Sequence, residues 1–429
     1  MLANFKKFFC CSNTLPASYQ VEVKHTDSDK NLVLPLSRMQ SRVKSKIESA
    51  KELIYYSDSN NEVYSINLSD IVNISTITIK KVVFGTGHCL ILLCQSDNPD
   101  KTFLAGFGAN SNGQLGLDVF SKNSSDEDLN RKNTYDKVVL VQVFKESQKI
   151  IDIAACQNFS LVLVEDISTH QKKLYRFELS QDELFNLGNF TVNRTNTVKL
   201  EICSDEIIEN ISHIYAKNGR ILLQDDKESA IYIKGMLFNM DICVKYKLFK
   251  KFPSKKISQI SLGLNHCIIL FTDNSLMSIG HNEYGELGAK CFNPKQLNPL
   301  NFYEGHTIQK ISTGLRHNLV LCEDGTLFAF GDNGAKQCLG DYDFYLEPKV
   351  MNIKDVYDIE CGGKFSIIKN TKGEVYAWGE CDFLFKEELF TNYMKTEDNI
   401  RIINDIKLKK ITGIYAGENA VVFYAEEFK

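Results

Sequence analysis

A pattern that returns about every fifty residues constrains this chain more than any other feature. Its clearest copy, residues 308–331, starts with an apolar strand, the corner Gly314-Leu315-Arg316-His317 and a second apolar strand. An Asp324-Gly325 turn and a third strand ending in Phe330-Gly331 complete it. Asp-Gly between apolar runs is a hairpin signal and predicts a tight primed turn with positive φ. The preceding copy carries Gly263-Leu264-Asn265-His266, Asp273-Asn274 and Ile279-Gly280. The following copy carries Gly362-Gly363-Lys364-Phe365, Lys372-Gly373 and Trp378-Gly379. His266 lies 51 residues before His317, which lies 48 before Phe365. Several strands per unit at this interval indicate propeller blades, each burying its apolar faces against its neighbours.

Another unit opens with Gly85-Thr86-Gly87-His88 and Gly106-Phe107-Gly108, and two worn units begin near Ile150 and Ile208. Third strands are expected to end near residues 66, 107, 177, 233, 279, 330 and 378, which gives seven. Residues 411–424 supply only the first half of a unit. Pairing that half with the hairpin 53–66 closes the ring and leaves no bare sheet edge. The expected fold class is all-β: a seven-bladed β-propeller of about fifty-residue repeats, closed by its N- and C-terminal strands. The strand at 53–56 is one more than this scheme needs, so an eight-bladed ring stays open. Residues 1–45 read as a partly disordered tail and 46–429 as one propeller domain with a polar insertion at 118–137.

Gly-x-x-His, then Asp-Gly, then Val375-Tyr376-Ala377-Trp378-Gly379, and the loop Asn110-Ser111-Asn112-Gly113-Gln114-Leu115-Gly116 together resemble the repeat of the regulator of chromosome condensation family. The resemblance covers residues 50–425, strongly in 84–117, 257–288, 308–331 and 356–379 and weakly across 150–250. It implies a seven-bladed propeller whose relatives serve as guanine-nucleotide exchange factors, scaffolds or ubiquitin-ligase modules, so the fold alone does not fix the role. The expected function is a regulatory propeller that binds a protein partner through loops on one face. The alternative is a guanine-nucleotide exchange factor for a small GTPase.

A net charge of −4 offers no electrostatic footprint for nucleic acid. Thirteen cysteines without a Cys-x-x-Cys pair fit a reducing compartment, cytoplasm or nucleus, and give no metal site. No apolar run reaches the eighteen or so residues of a membrane span. Cys10 and Cys11, beside Lys6 and Lys7, form a loose palmitoylation motif in the tail. No catalytic triad, carboxylate pair or cofactor fingerprint emerges, so neither an enzyme nor a cofactor is expected, and the chain reads as a monomer.

His88, His266 and His317 occupy one repeat position, so symmetry spreads them over different blades and they read as structural. Residues 108–115 imitate a phosphate-binding loop but carry Gln114 and Leu115 where lysine and a hydroxyl are needed. Trp378 reads as core or inter-blade packing. Alternating cations and aromatics at 245–252 predict a strand with one solvated face. The insertion, with Ser124, Asp126, Glu127 and Asp128, is the candidate partner-binding segment, since long insertions in repeat proteins gather on one face.

Overall fold

Each second strand of the repeat is an unbroken apolar run, and such a run is stable only where both faces of its sheet are covered. In the computed structural model His317–Cys322 is buried at every position. Leu319 and Leu321 pack toward the blade that follows, Val320 and Cys322 toward the one before. The described residues are 51–57, 62–67, 77–117, 134–178, 201–203, 206–236, 242–289, 296–381, 393–395, 400–403 and 409–427.

These residues form seven antiparallel sheets, six of four strands and one of five; sequence neighbours pair except at the ring closure and where Val375–Gly379 pairs with Arg401–Ile403. Numbered along the chain, blades 1 to 6 begin with the inner strands Ile77–Phe84, Gln148–Ala155, Ile211–Lys217, Ile257–Leu262, Ile308–Thr313 and Val356–Cys361. Blade 7 is composite. Its inner strands Lys409–Ala416 and Ala420–Glu427 come from the C-terminal part, and its outer strands Lys51–Ser57 and Glu62–Asn67 from the N-terminal part. Lys51–Ser57 is thus the third strand of the last blade, and Glu62–Asn67 its outermost. The seventh third strand therefore ends at Ser57 rather than near residue 66, and the strand that seemed surplus in the sequence is accounted for.

Seven apolar clusters fill the seven junctions. Blades 1 and 2 share one around Leu90, Leu92, Ile153 and Val162; blades 6 and 7 share another around Ile367, Val375, Ile414 and Phe423. The cluster joining blade 7 to blade 1 includes Val422 and Ile91 and completes the ring, which leaves no place for an eighth blade. Trp378, with no exposed surface, lies in the junction of blades 5 and 6, and its indole N–H donates to the Gln337 carbonyl at 2.8 Å.

The hairpins after the second strands differ from the expected primed turns. Cys322 and Thr326 bracket a three-residue loop in which Gly325 N–H donates back to Cys322 O at 3.0 Å and only Gly325 has positive φ, at 83°. Thr371-Lys372-Gly373 and Thr272-Asp273-Asn274 repeat this geometry, with Gly373 and Asn274 left-handed. It is the three-residue hairpin built on a type I turn, in which one left-handed residue suffices. The 245–252 segment contains the outer strand Ile242–Lys251, with Lys245 and Lys247 exposed and Tyr246 buried as alternation predicts. A register shift opposite Ile231 and Tyr232 then resets the phase and turns Leu248 outward.

Strand order fixes which connections share a face. Inner-to-second corners and third-to-outer connections lie at one end, here the corner face; hairpins and outer-to-inner connections lie at the other. The long connections, Ala109 to Thr134, Phe177 to Glu201, Gly280 to Asn298 and Gly379 to Arg401, all leave from the corner face. Residues 1–45, and the insertion from 118 to 133 with Ser124, Asp126, Glu127 and Asp128, lie outside the described residues.

A variant lacking residues 1–67 leaves Ala420–Glu427 as a bare edge. Its unfolding free energy in urea should fall by more than about 4 kcal/mol, beyond what most single substitutions cause. Size-exclusion chromatography should show self-association, because an exposed strand edge templates pairing.

Candidate functional site

The corner glycine and the residue three positions later form one device. A Cβ on Gly314 would lie 2.2 Å from His317 Cε1 and 2.6 Å from Gly362 O of the next blade. Only a residue without a side chain lets the imidazole fold back over the corner. Gly263 with His266 and Gly362 with Phe365 repeat the contact. The folded-back ring then reaches the next blade. His266 Nε2 meets Asn318 Oδ1 at 2.8 Å, and Asn318 Nδ2 donates to Glu286 O at 2.9 Å. His317 Nε2 meets Ser366 Oγ at 3.1 Å, and that hydroxyl donates to Gln337 O at 2.8 Å. His88 Nε2 meets Ser160 Oγ at 2.7 Å.

In the two complete relays the acceptor has no proton to offer, so His266 and His317 carry theirs on Nε2 and are neutral. Burial without a carboxylate partner drives their pKa down, His266 to about 4 and His317 to about 3; His88 falls to about 4 for the same reason. The three histidines sit on separate blades and each is used between blades, as the repeat predicts.

A second set of bonds runs along the corners. Leu264 N–H donates to Leu315 O at 2.8 Å, Leu315 N–H to Gly363 O at 3.0 Å, and Gly363 N–H to Glu418 O at 2.9 Å. This backbone chain links blades 4 to 7 and stops there. At the equivalent places in blades 7, 1, 2 and 3 stand Glu418, Thr86, Gln157 and Asn218, whose N–H groups find no backbone acceptor among the described residues. The same residues line a cavity of about 210 Å³ at the channel mouth, together with Lys81, Cys156, Tyr215 and Lys217.

Blade 3 departs from the repeat here. Lys217 replaces the corner glycine found at 85, 263, 314, 362 and 417, and Arg220 replaces the histidine. Arg220 crosses to blade 4 as the histidines do, with Nη1 on Leu264 O and Nη2 on Asn265 Oδ1, both at 2.7 Å. Deeper in the channel each inner strand carries a bulge, and in blades 1, 2, 4 and 5 the residue after it reaches the following blade. Lys81 Nζ pairs with Asp152 at 2.7 Å, Asp152 Oδ2 accepts from Ile214 N at 2.8 Å, and Lys310 Nζ pairs with Asp358 and Glu360 at 2.7 and 2.8 Å.

The loop 108–115 is a structural turn. Asn110 Oδ1 accepts from Leu115 N at 2.9 Å while its Nδ2 donates to Leu117 O at 3.1 Å. Asn282 and Asn333 organise the matching loops of blades 4 and 5. Among the described residues His306, Cys322 and Asp324 bring metal-ligating atoms within 4.8 Å of one another. His306 Nδ1 already bonds Asp324 at 2.7 Å, and burial first, with Asp324 adding to it, holds the Cys322 thiol up at about 11. In blade 4 Lys255 serves Asp273 at the same place, so the trio caps a hairpin. Cys10 and Cys11 lie outside the described residues.

A model of the regulator of chromosome condensation (RCC1) repeat matches residues 257–286 and 308–337, the inner three strands of blades 4 and 5 with the loops that follow. The chain is 24% identical over 333 residues to the guanine nucleotide exchange factor SRM1 of Saccharomyces cerevisiae, covering 64% of this chain and 65% of that one. It carries repeats of the regulator of chromosome condensation type. It is also 27% identical over 135 residues to the human probable E3 ubiquitin-protein ligase HERC6, covering 30% of this chain and 13% of that protein. The chain thus spans less than two thirds of either relative. The crystal structure of Prp20p from Saccharomyces cerevisiae superposes with a TM-score of 0.64 at 16% identity, over 89% of this chain and 93% of that one. The corner relays, the Asn-anchored loops and the composite last blade are the form this repeat takes here.

Gly314→Ala should cost about 1–3 kcal/mol, as overpacking a close contact does, whereas Gly334→Ala, whose Cβ would meet nothing closer than 3.4 Å, should stay near zero. The histidines also set a pH dependence. A group whose folded pKa lies below its unfolded value of 6.5 takes up protons on unfolding, so stability is full above pH 6.5 and is lost as pH falls toward 4. Glu286 and Glu360, raised by burial, titrate in the opposite sense. A single variant therefore isolates the effect: His317→Phe should flatten the decline in melting temperature between pH 7 and pH 4.5 relative to the parent protein.

Proposed function

We propose that this propeller is a regulatory, non-enzymatic protein that binds a protein partner through the connections of its corner face. The observation that carries this reading is the segregation of the long connections to that face, while the connections of the hairpin face run to nine residues at most. Rigid strands supply the frame and the connections supply specificity. Residues 118–137, between the third and outer strands of blade 1, belong to that set, and Ser124, Asp126, Glu127 and Asp128 are the proposed contact residues. The buried free thiols Cys89, Cys156, Cys267, Cys322, Cys338, Cys361 and Cys381 support a reducing compartment, cytoplasm or nucleus.

A second reading is exchange-factor activity toward a small GTPase. It is favoured by the match to SRM1 over 333 residues and by the likeness to Prp20p, a structure described together with its binding properties to Gsp1p and histones. An exchange factor binds the nucleotide-free GTPase most tightly, because it acts by stabilising that state.

Affinity capture from native extract, once with added GTP and once after EDTA treatment, separates the two. A nucleotide-indifferent protein partner is the expected result for the scaffold; a small GTPase retained only after EDTA would assign exchange activity. Deleting 118–137 should weaken capture by about tenfold or more, a loss of roughly 1.4 kcal/mol, with the melting temperature unchanged. Capture that survives the deletion intact would remove the insertion from the site.

A further inference from the structure

We propose that the open half of the channel mouth, around Lys217, is a binding site for a small tetrahedral oxyanion such as inorganic phosphate. Three observations on different groups converge there. The first is an unpartnered cation. Lys217 is partly buried, and among the described residues its ammonium has no salt bridge and no hydrogen bond. Other lysines of the inner strands are paired: Lys81 with Asp152, and Lys310 with Asp358 and Glu360. Burial lowers the pKa of Lys217, and its charge is felt by the neutral His266 and His317, which offer no compensation. Glu418 acts on this charge only from beyond salt-bridge distance, so a partly buried cation is left without a direct ion-pair partner.

The second observation is the break in the backbone chain. From blade 4 to blade 7 each corner N–H donates to the next corner's carbonyl. At Glu418, Thr86, Gln157 and Asn218 it does not, and these four residues edge the cavity that Lys217 enters. Gln157 N–H turns to the Cys156 sulfur instead, while the N–H groups of Glu418, Thr86 and Asn218, without an acceptor among the described residues, border the cation as donors for an anion. The third is the room itself. Because most other blades have glycine at the corner, no side chain from them competes for the space, and the cavity of about 210 Å³ exceeds what the lysine fills.

The groups facing the site carry both signs. Among the described residues Glu418 is the acidic neighbour of Lys217 on the rim of the cavity, beyond salt-bridge distance, and it opposes an incoming anion. Asp152 is neutralised by Lys81. Glu418 therefore sets an upper limit on affinity, and removing its charge should tighten binding. The worn sequence of blade 3 acquires a reason: Lys217 and Arg220 replace the glycine and histidine of the repeat, Arg220 keeps the inter-blade link, and Lys217 is freed to face the channel.

The test is calorimetric titration of the full chain with sodium phosphate against sodium chloride of equal ionic strength, with sulfate and acetate as further arms. Saturable binding of phosphate and sulfate is expected, weakened at least tenfold in Lys217→Met and in Lys217→Gly, and strengthened in Glu418→Gln. The glycine variant restores the residue of most blades and guards against misfolding of the methionine variant. No heat beyond the chloride control, a response to acetate alone, or unchanged affinity in both Lys217 variants would each overturn the proposal.

Discussion

The hydrogen bond that leaves a corner for the next blade is the constraint on which the rest of this structure depends. A propeller junction made only of apolar contacts can slide, because hydrophobic burial is not directional. The relays from His266 through Asn318 to Glu286 O, and from His317 through Ser366 to Gln337 O, fix the register of three neighbouring blades with buried bonds. They also tie the corner to the Asn-anchored loop of the blade before. The apolar clusters then supply most of the stabilisation, and the relays determine which arrangement is stabilised.

Closure follows the same logic at larger scale. Lys51–Ser57 pairs with Ala420–Glu427 along seven residue pairs, so the first and last parts of the chain share one sheet. The ring thereby has no free inner edge, and the corner face becomes a fixed platform from which long connections leave. The backbone chain along the corners is complete over blades 4 to 7 and open over blades 7, 1, 2 and 3. Blades 4 to 6, which follow the repeat pattern, are thus sealed. The open side includes the worn blades 2 and 3 and holds the cavity and Lys217.

Much of this was legible in the sequence. Gly-x-x-His at a regular interval announces a corner because its glycine must lie under its own histidine, and no other residue fits. The unbroken apolar second strands announce burial on both faces. Asn110, Asn282 and Asn333 announce their loops, since one side chain has to serve two backbone groups at fixed spacing. The placement of Lys51–Ser57 was not legible, because an isolated hairpin carries no mark of which strand of a blade it will become; only its partner Ala420–Glu427 decides. The hairpin type was misjudged because Asp-Gly suits both a primed turn and a type I turn followed by a left-handed residue. Lys217 was missed for a plainer reason. In a worn repeat a lysine at the glycine position looks like drift until the fold places it beside corner N–H groups that have no backbone acceptor among the described residues.

The measurement that tests this account most directly is a double-mutant cycle on His266 and Asn318, with unfolding free energies for His266→Ala, Asn318→Ala and the double variant at pH 7.5. If the corner relay fixes the junction of blades 4 and 5, the two losses should be coupled by about 1 kcal/mol or more. A coupling indistinguishable from zero would mean that the apolar clusters alone set the blade register, and that the corner motif is only a way of turning the chain.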